Sequence, residues 1–182
     1  MKKFYFLIGL LFLTSNSIAQ KYFTRTGTIT FEASVPSFEE VKAKNNTTTA
    51  ILNIETGEIA ALALIKGFRF KIALMEEHFN ESFAESNIYP KATFKGKIEN
   101  LTFKNLTETK KSYPIKGTVA FHDNLVDINT LVFISINNGE VLLTSEFIVN
   151  PEDFGIKIPK IIRKKVAETV TVTINFKFMP KK

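Results

Sequence analysis

Residues 67–98 read GFRFKIALMEEHFNESFAESNIYPKATFKGKI, the one place where an otherwise strand-like chain stops alternating. Phe68 and Phe70 close a run with strand spacing. Residues 74–83, LMEEHFNESF, then carry apolar side chains at helical spacing. Tyr89-Pro90 ends that pattern, because the residue before a proline is driven to extended backbone, and the chain restarts as a strand over residues 91–98. The spacing therefore predicts an all-β protein interrupted by one helical insertion.

Immediately upstream, residues 58–65 are apolar on both faces, so something must cover their outer side. The helical insertion is the expected cover. Residues 49–54 form the preceding strand, joined to it through Glu55-Thr56-Gly57. Further back, residues 22–34 alternate, with Gly27 allowing a bulge. Val35-Pro36-Ser37 breaks that strand, a capped helical turn is expected over residues 38–43, and Lys44-Asn45-Asn46 reads as a loop. Downstream, Ala92, Phe94, Gly96 and Ile98 share one face, as do Tyr113, Ile115, Gly117, Val119 and Phe121. Asp123-Asn124 turns the chain into residues 126–136. Asn137-Asn138-Gly139 is a strong hairpin signal, since Asn-Gly accepts the positive φ of a tight turn. Residues 141–149 and 169–178 alternate again, and Pro159 suits the start of a short helix over residues 160–167.

About eight long strands, each apolar on one face, describe an antiparallel sheet around an apolar interior. Closing it into a barrel removes the exposed edges, and an eight-stranded barrel has room for packed side chains or one small ligand. A two-sheet β-sandwich is the alternative.

The N-terminus has the form of an export signal. Met1-Lys2-Lys3 is basic, residues 4–13 are an unbroken apolar run too short to span a bilayer, and Ser17-Ile18-Ala19 ends in a small-residue cleavage pattern. Residues 1–19 are thus expected to be a cleaved signal peptide and residues 20–182 a single domain, periplasmic or secreted. The chain has no cysteine, which excludes disulfides, a thiolate metal site, a cysteine nucleophile and a lipoprotein anchor. The formal charge of +6 includes Lys2 and Lys3, and the remaining lysines are mostly scattered. Nucleic-acid binding would want a basic stripe beside exposed aromatics, so no nucleic-acid partner is expected. The chain holds 18 Phe and no Trp, an excess that suits either a very apolar core or an apolar cavity.

Several separated motifs carry a family resemblance. Phe70-x-x-x-Leu74-Met75-x-x-His78-Phe79-Asn80-Glu81 is followed by Glu85-Ser86-x-x-Tyr89-Pro90-Lys91-Ala92-x-Phe94. Tyr113-x-Ile115-x-Gly117-x-Val119-x-Phe121-His122 ends a strand in His. Phe147-x-Val149-x-x-x-Asp153-Phe154-Gly155-Ile156 and Val170-x-Val172-x-Ile174-x-Phe176 complete the set. Together they resemble the YceI-like family of exported lipid- and polyisoprenoid-binding proteins. The resemblance implies an extended, lipocalin-like antiparallel barrel holding a long isoprenoid or acyl chain in an apolar tunnel. One departure concerns the turn after the strand-ending His, where the family commonly has Gly and this chain has Asp123, so a changed turn is expected there.

With that implication, Phe31, Phe94, Phe121, Phe147 and Phe176 become candidate tunnel walls, together with Leu62, Ile98, Phe133, Phe154 and Ile174. From the central stretch come Phe70, Leu74, Met75, Phe79 and Phe83, in a segment expected to gate the opening. His78, His122 and Arg163 are candidates for headgroup contact. No metal or redox cofactor is expected, only a bound lipid such as a polyisoprenoid or fatty acid derivative. A homodimer and transient contact with a membrane surface are both compatible with the sequence.

Other constellations are weaker. Glu77, His78 and Glu81 could share one side of a helix, but zinc needs three or four ligands and there is no HExxH motif. The simpler pattern has Glu76, Glu77 and Glu81 solvated while Leu74, Met75, His78, Phe79 and Ser82 pack inward. No Ser stands beside either His in a recognisable motif, so catalysis is not expected, and a lipid hydrolase or isomerase is the minor alternative. Lys160, Arg163, Lys164 and Lys165 could form an electrostatic lip for anionic headgroups. The blander pattern makes them a solvated helix face with Ile161, Ile162 and Val166 buried. A structural module with a filled core remains the other alternative to a carrier.

Overall fold

The computed structural model describes residues 21–181, so the expected leader at residues 1–19 lies outside the described residues. Nine strands follow in chain order. They are β1 (Lys21–Glu32), β2 (Lys42–Asn53), β3 (Glu58–Leu64), β4 (Arg69–Phe70), β5 (Lys91–Ile98), β6 (Lys111–Phe121), β7 (Asn124–Asn137), β8 (Glu140–Val149) and β9 (Val170–Pro180). A short helix, α1 (Ala73–His78), runs into one turn of π-helix at Phe79–Phe83.

All pairings are antiparallel, and β1 bonds to both β9 and β2, which closes eight strands into a barrel. Two-residue β4 is an extra strand that pairs only with β2. The closure settles the choice between barrel and sandwich in favour of the lipocalin-like barrel. At the closing seam, β1 and β2 shift register around Gly27, where an added Cβ would lie 2.6 Å from the Phe176 ring.

The connections divide unevenly between the two ends. One end carries the β2–β3, β5–β6 and β7–β8 connections. The other carries the β1–β2, β3–β5 and β8–β9 connections and the tight β6–β7 turn. That turn closes on His122 and Asp123, both left-handed with φ of 52° and 56°. Asp123 thus adopts the conformation a glycine would take more cheaply, and the β6–β7 turn closes in two residues despite the departure from the family pattern.

The strand and helix expectations fail at four places. β2 begins at Lys42 and runs straight through the expected loop at Lys44-Asn45-Asn46, with no helical turn before it. The reason is Asn45, whose buried amide donates to the Leu64 carbonyl while its oxygen accepts from Thr47 N and Oγ1. A polar side chain so satisfied can sit inside a strand. Residues 160–165 form turns rather than a helix. The helical insertion does not cover the outer face of β3, where Leu62 and Leu64 remain exposed. Instead it folds across the barrel end, its Phe79 ring 5.2 Å from Phe31 and 6.1 Å from Phe68.

Candidate functional site: an apolar cavity at one end of the barrel

Most inward-facing stripes change character along their length, β2 alone staying buried from Ala43 to Leu52. At the end bearing the short hairpins, Tyr22, Leu52, Ile98, Ile134, Val141 and Phe178 are buried in one continuous core. Towards the other end, inward residues on the same strands are only half-buried: Phe31 on β1, Phe121 on β6, Phe147 on β8, Val172 on β9. They face a cavity of about 230 Å³, far larger than the water-sized voids of an ordinary core.

Phe94 and Phe176 form its floor, and each lies over glycine. Gly96 and Gly117 are paired across β5 and β6, and a Cβ on either would come within 2.6 Å of the Phe94 ring. Phe176 occupies the equivalent notch left by Gly27. The missing side chains leave room for both rings at the boundary between the filled half and the hollow half.

The lid is an aromatic cluster. Phe79 meets Phe31, Phe68 and Phe70, with its nearest ring centroids 5.2 Å away. Glu76 anchors this cap to β4, pairing with the Arg69 guanidinium at 2.6 Å and accepting from Phe70 N at 3.1 Å. Across the opening, the Phe121 and Phe154 rings stand 5.8 Å apart. Beside them His122 Nδ1 lies 3.1 Å from the Phe154 carbonyl oxygen, its Nε2 3.0 Å from Glu85 Oε2, and Tyr89 packs on the ring at 4.2 Å. His122 thereby ties the β6–β7 turn, the cap segment and the β8–β9 connection together.

Almost all the lining is hydrocarbon. Of its three hydroxyl side chains, Ser145 donates to the Leu131 carbonyl and Thr130 to the Glu146 carbonyl. Such a space can desolvate an apolar chain but offers little to orient a polar one.

The candidate walls divide cleanly. Phe31, Phe79, Phe94, Phe121, Phe147, Phe154, Ile174 and Phe176 line the cavity, whereas Leu62 only borders it, its side chain exposed on the outer face of β3. Phe70 lies behind it, in the ring cluster of the cap, and Ile98 sits in the filled core. Phe133 projects from the barrel exterior with Lys110 over its ring at 5.7 Å. Leu74 is exposed on α1, and Met75 and Phe83 are half-buried away from the cavity. The helical spacing was right, but the helix is rotated so that Phe79 alone of its expected wall reaches the interior. His78 and Ser82, expected to pack inward, are exposed. Arg163 is exposed on the β8–β9 connection.

Sequence reasoning passed over Ile29, Ala61, Val119, Ile128, Val149 and Pro151, all of which line the cavity. Their strand parity was available. An excess of phenylalanine points to rings as walls, whereas small side chains such as Ala61 and Ala92 border the space as well.

A model of the YceI-like domain matches residues 20–178. Among solved structures, a polyisoprenoid-binding domain from Saccharophagus degradans, implicated in plant cell wall breakdown, superposes with a TM-score of 0.75 at 12% identity, over 90% of this chain and 99% of that one. BcnA of Burkholderia cenocepacia gives 0.69 at 11% identity over 83% and 95% of the two chains. The YceI protein of Campylobacter jejuni gives 0.65 at 13% identity over 81% and 89%. At such identities the likeness concerns the fold. No curated protein matches the chain.

Proposed function

The chain belongs to the YceI-like family, and from that premise and the apolar cavity we propose that it binds one long apolar lipid, a polyisoprenoid or fatty-acyl chain, and carries it unchanged. The observation that carries this reading is the half-burial of inward residues at one end only, around a hydrocarbon-lined space. Each methylene moved from water into that space contributes about 0.8 kcal/mol, so affinity follows chain length rather than chemical detail. A polar headgroup has few partners inside and stays at the mouth, near His122 and the β8–β9 connection.

A carrier rather than a catalyst is supported by the positions of the histidines. His78 points to solvent, and both ring nitrogens of His122 are occupied in structural contacts. The basic and apolar leader motif in residues 1–19 supports export, to the periplasm or beyond. No resident metal or redox group enters this function.

Gentle purification followed by lipid extraction and mass spectrometry tests the proposal. Stoichiometric isoprenoid or acyl lipid is expected, and added lipid should raise the melting temperature of delipidated protein as any ligand of the native state does. A chain that purifies empty and gains no stability from either lipid class overturns it.

A further inference from the structure

The four most exposed large apolar side chains among the described residues are Ile161, Leu125, Ile88 and Ile148, at 87%, 76%, 66% and 65% exposure. All four lie at the cavity end. Ile88 precedes β5, Leu125 follows the β6–β7 turn, Ile148 pairs with Thr171 one step from the end of β8, and Ile161 stands on the β8–β9 connection. At the filled end the most exposed is Met179, at 52%.

Charge changes along the β8–β9 connection, from exposed Glu152 and Asp153 in its first turn to a basic run beyond them. The β8–β9 connection leaves the cavity wall at Ile156 and rejoins it at Val170. Between them Lys157, Lys160, Arg163, Lys164 and Lys165 are all exposed, with no acidic residue until Glu168. None of the five enters an ion pair among the described residues. The acids of the cap, Glu77 and Glu81, lie on the α1 side instead. A solvated helix face would have buried Ile161; the connection turns it outward among the cations.

We propose that the β8–β9 side of the cavity mouth is a docking face for an anionic lipid bilayer, with Ile161 and Ile148 entering the headgroup boundary and the five cations facing lipid phosphates. Cations and apolar tips on one surface are what interfacial binding requires, since each cation gains from the negative surface potential and each apolar tip from burial. The inference rests on the carrier reading, because it delivers the mouth of the cavity directly to the source of an apolar chain.

Vesicle flotation tests it, using the lipid-loaded protein with phosphatidylcholine vesicles and with vesicles that also contain phosphatidylglycerol. Association with the anionic vesicles only, weakening as salt rises, is expected. The triple variant Lys160→Glu/Arg163→Glu/Lys164→Glu should partition on the order of tenfold or more less tightly. Ile161→Asp should weaken association at every salt concentration. Both changes lie in exposed irregular chain, and circular dichroism should match that of the unaltered protein. Indifference to anionic vesicles in a protein that still carries lipid overturns the docking face and leaves the carrier standing. Absence of bound lipid, with anionic vesicle binding intact, removes the carrier and keeps the face. Charge reversal that abolishes binding while Ile161→Asp has no effect overturns the bilayer and points to a polyanionic partner.

Discussion

The two ends of the barrel are built from the same strands, in the same alternation, and behave as different materials. On β9, Phe176 and Phe178 are buried while Val170 and Val172 are half-buried. On β8 the sequence passes from Val141 and Leu143 in the core to Phe147 and Val149 on the cavity. The difference lies in what crosses the axis. Leu52, Ile98 and Ile134 meet in the middle of the filled end, whereas Ala61, Ala63 and Ala92 stop short of it at the hollow end. The filled half supplies stability, and the hollow half forgoes some of it to remain available for a ligand.

The largest expected effect separates the halves directly. Phe178→Ala, in the filled end, should cost about 3–5 kcal/mol, while Phe147→Ala, which only enlarges an existing space, should cost less than half as much. Urea unfolding of the two variants checks this, and equal costs would break the comparison. Gly117→Ala comes next. The added Cβ would lie 2.5 Å from both the Phe94 ring and the Lys95 carbonyl oxygen, so the floor must shift. A loss of about 1–3 kcal/mol is expected, with less co-purified lipid as Phe94 is pushed into the cavity.

Phe79→Ala should remove ring contacts worth about 0.5–1.5 kcal/mol each and speed amide exchange in residues 73–90 without altering exchange in the filled end. Uniform acceleration would show that the cap is not a separable part. The smallest effect concerns the ion pair of Glu32 and Lys42, 2.9 Å apart at the cavity end. Its Lys42 partner lowers the Glu32 carboxyl below its ordinary value, and Glu32 in turn raises Lys42. The pair's stabilisation is therefore full near neutrality. It is lost as pH falls through the lowered Glu32 value, and again as pH rises past the raised Lys42 value. Both groups are well exposed, so Glu32→Gln should cost no more than about 0.5 kcal/mol at neutral pH and nothing in acid.

Much of the fold was legible because period-two alternation survives in the long strands other than β1 and β2, where the bulged seam interrupts it. β5 begins and ends where Tyr89-Pro90 and the alternation of residues 91–98 predicted. The misreadings share a cause, which is that tertiary partners overrode local chemistry. Lys44-Asn45-Asn46 looks like a loop until Asn45 finds the Leu64 carbonyl. Residues 160–167 have helical spacing, yet β9 must start at Val170 and the connection is pinned by Ala167 N donating to the Ala33 carbonyl. The site was legible only in outline. Alternation says which residues point inward, but the depth at which inward residues meet depends on side-chain size summed across the barrel. Ile98 and Phe94 share one face of β5, and one lies in packed core while the other floors a cavity.

The closing of β1 onto β2 has a consequence for timing. A wall hydrogen-bonded all the way round has no seam that can part without breaking a ladder of backbone bonds. In the proposed carrier, loading and unloading are then confined to the end that bears the cap and the β8–β9 connection, and strand separation plays no part. Residence time of a bound chain would be set by those loops and decoupled from the stability of the barrel itself. Changes in the cap or the connection would retune how quickly the proposed cargo is surrendered while the closed wall stays as it is.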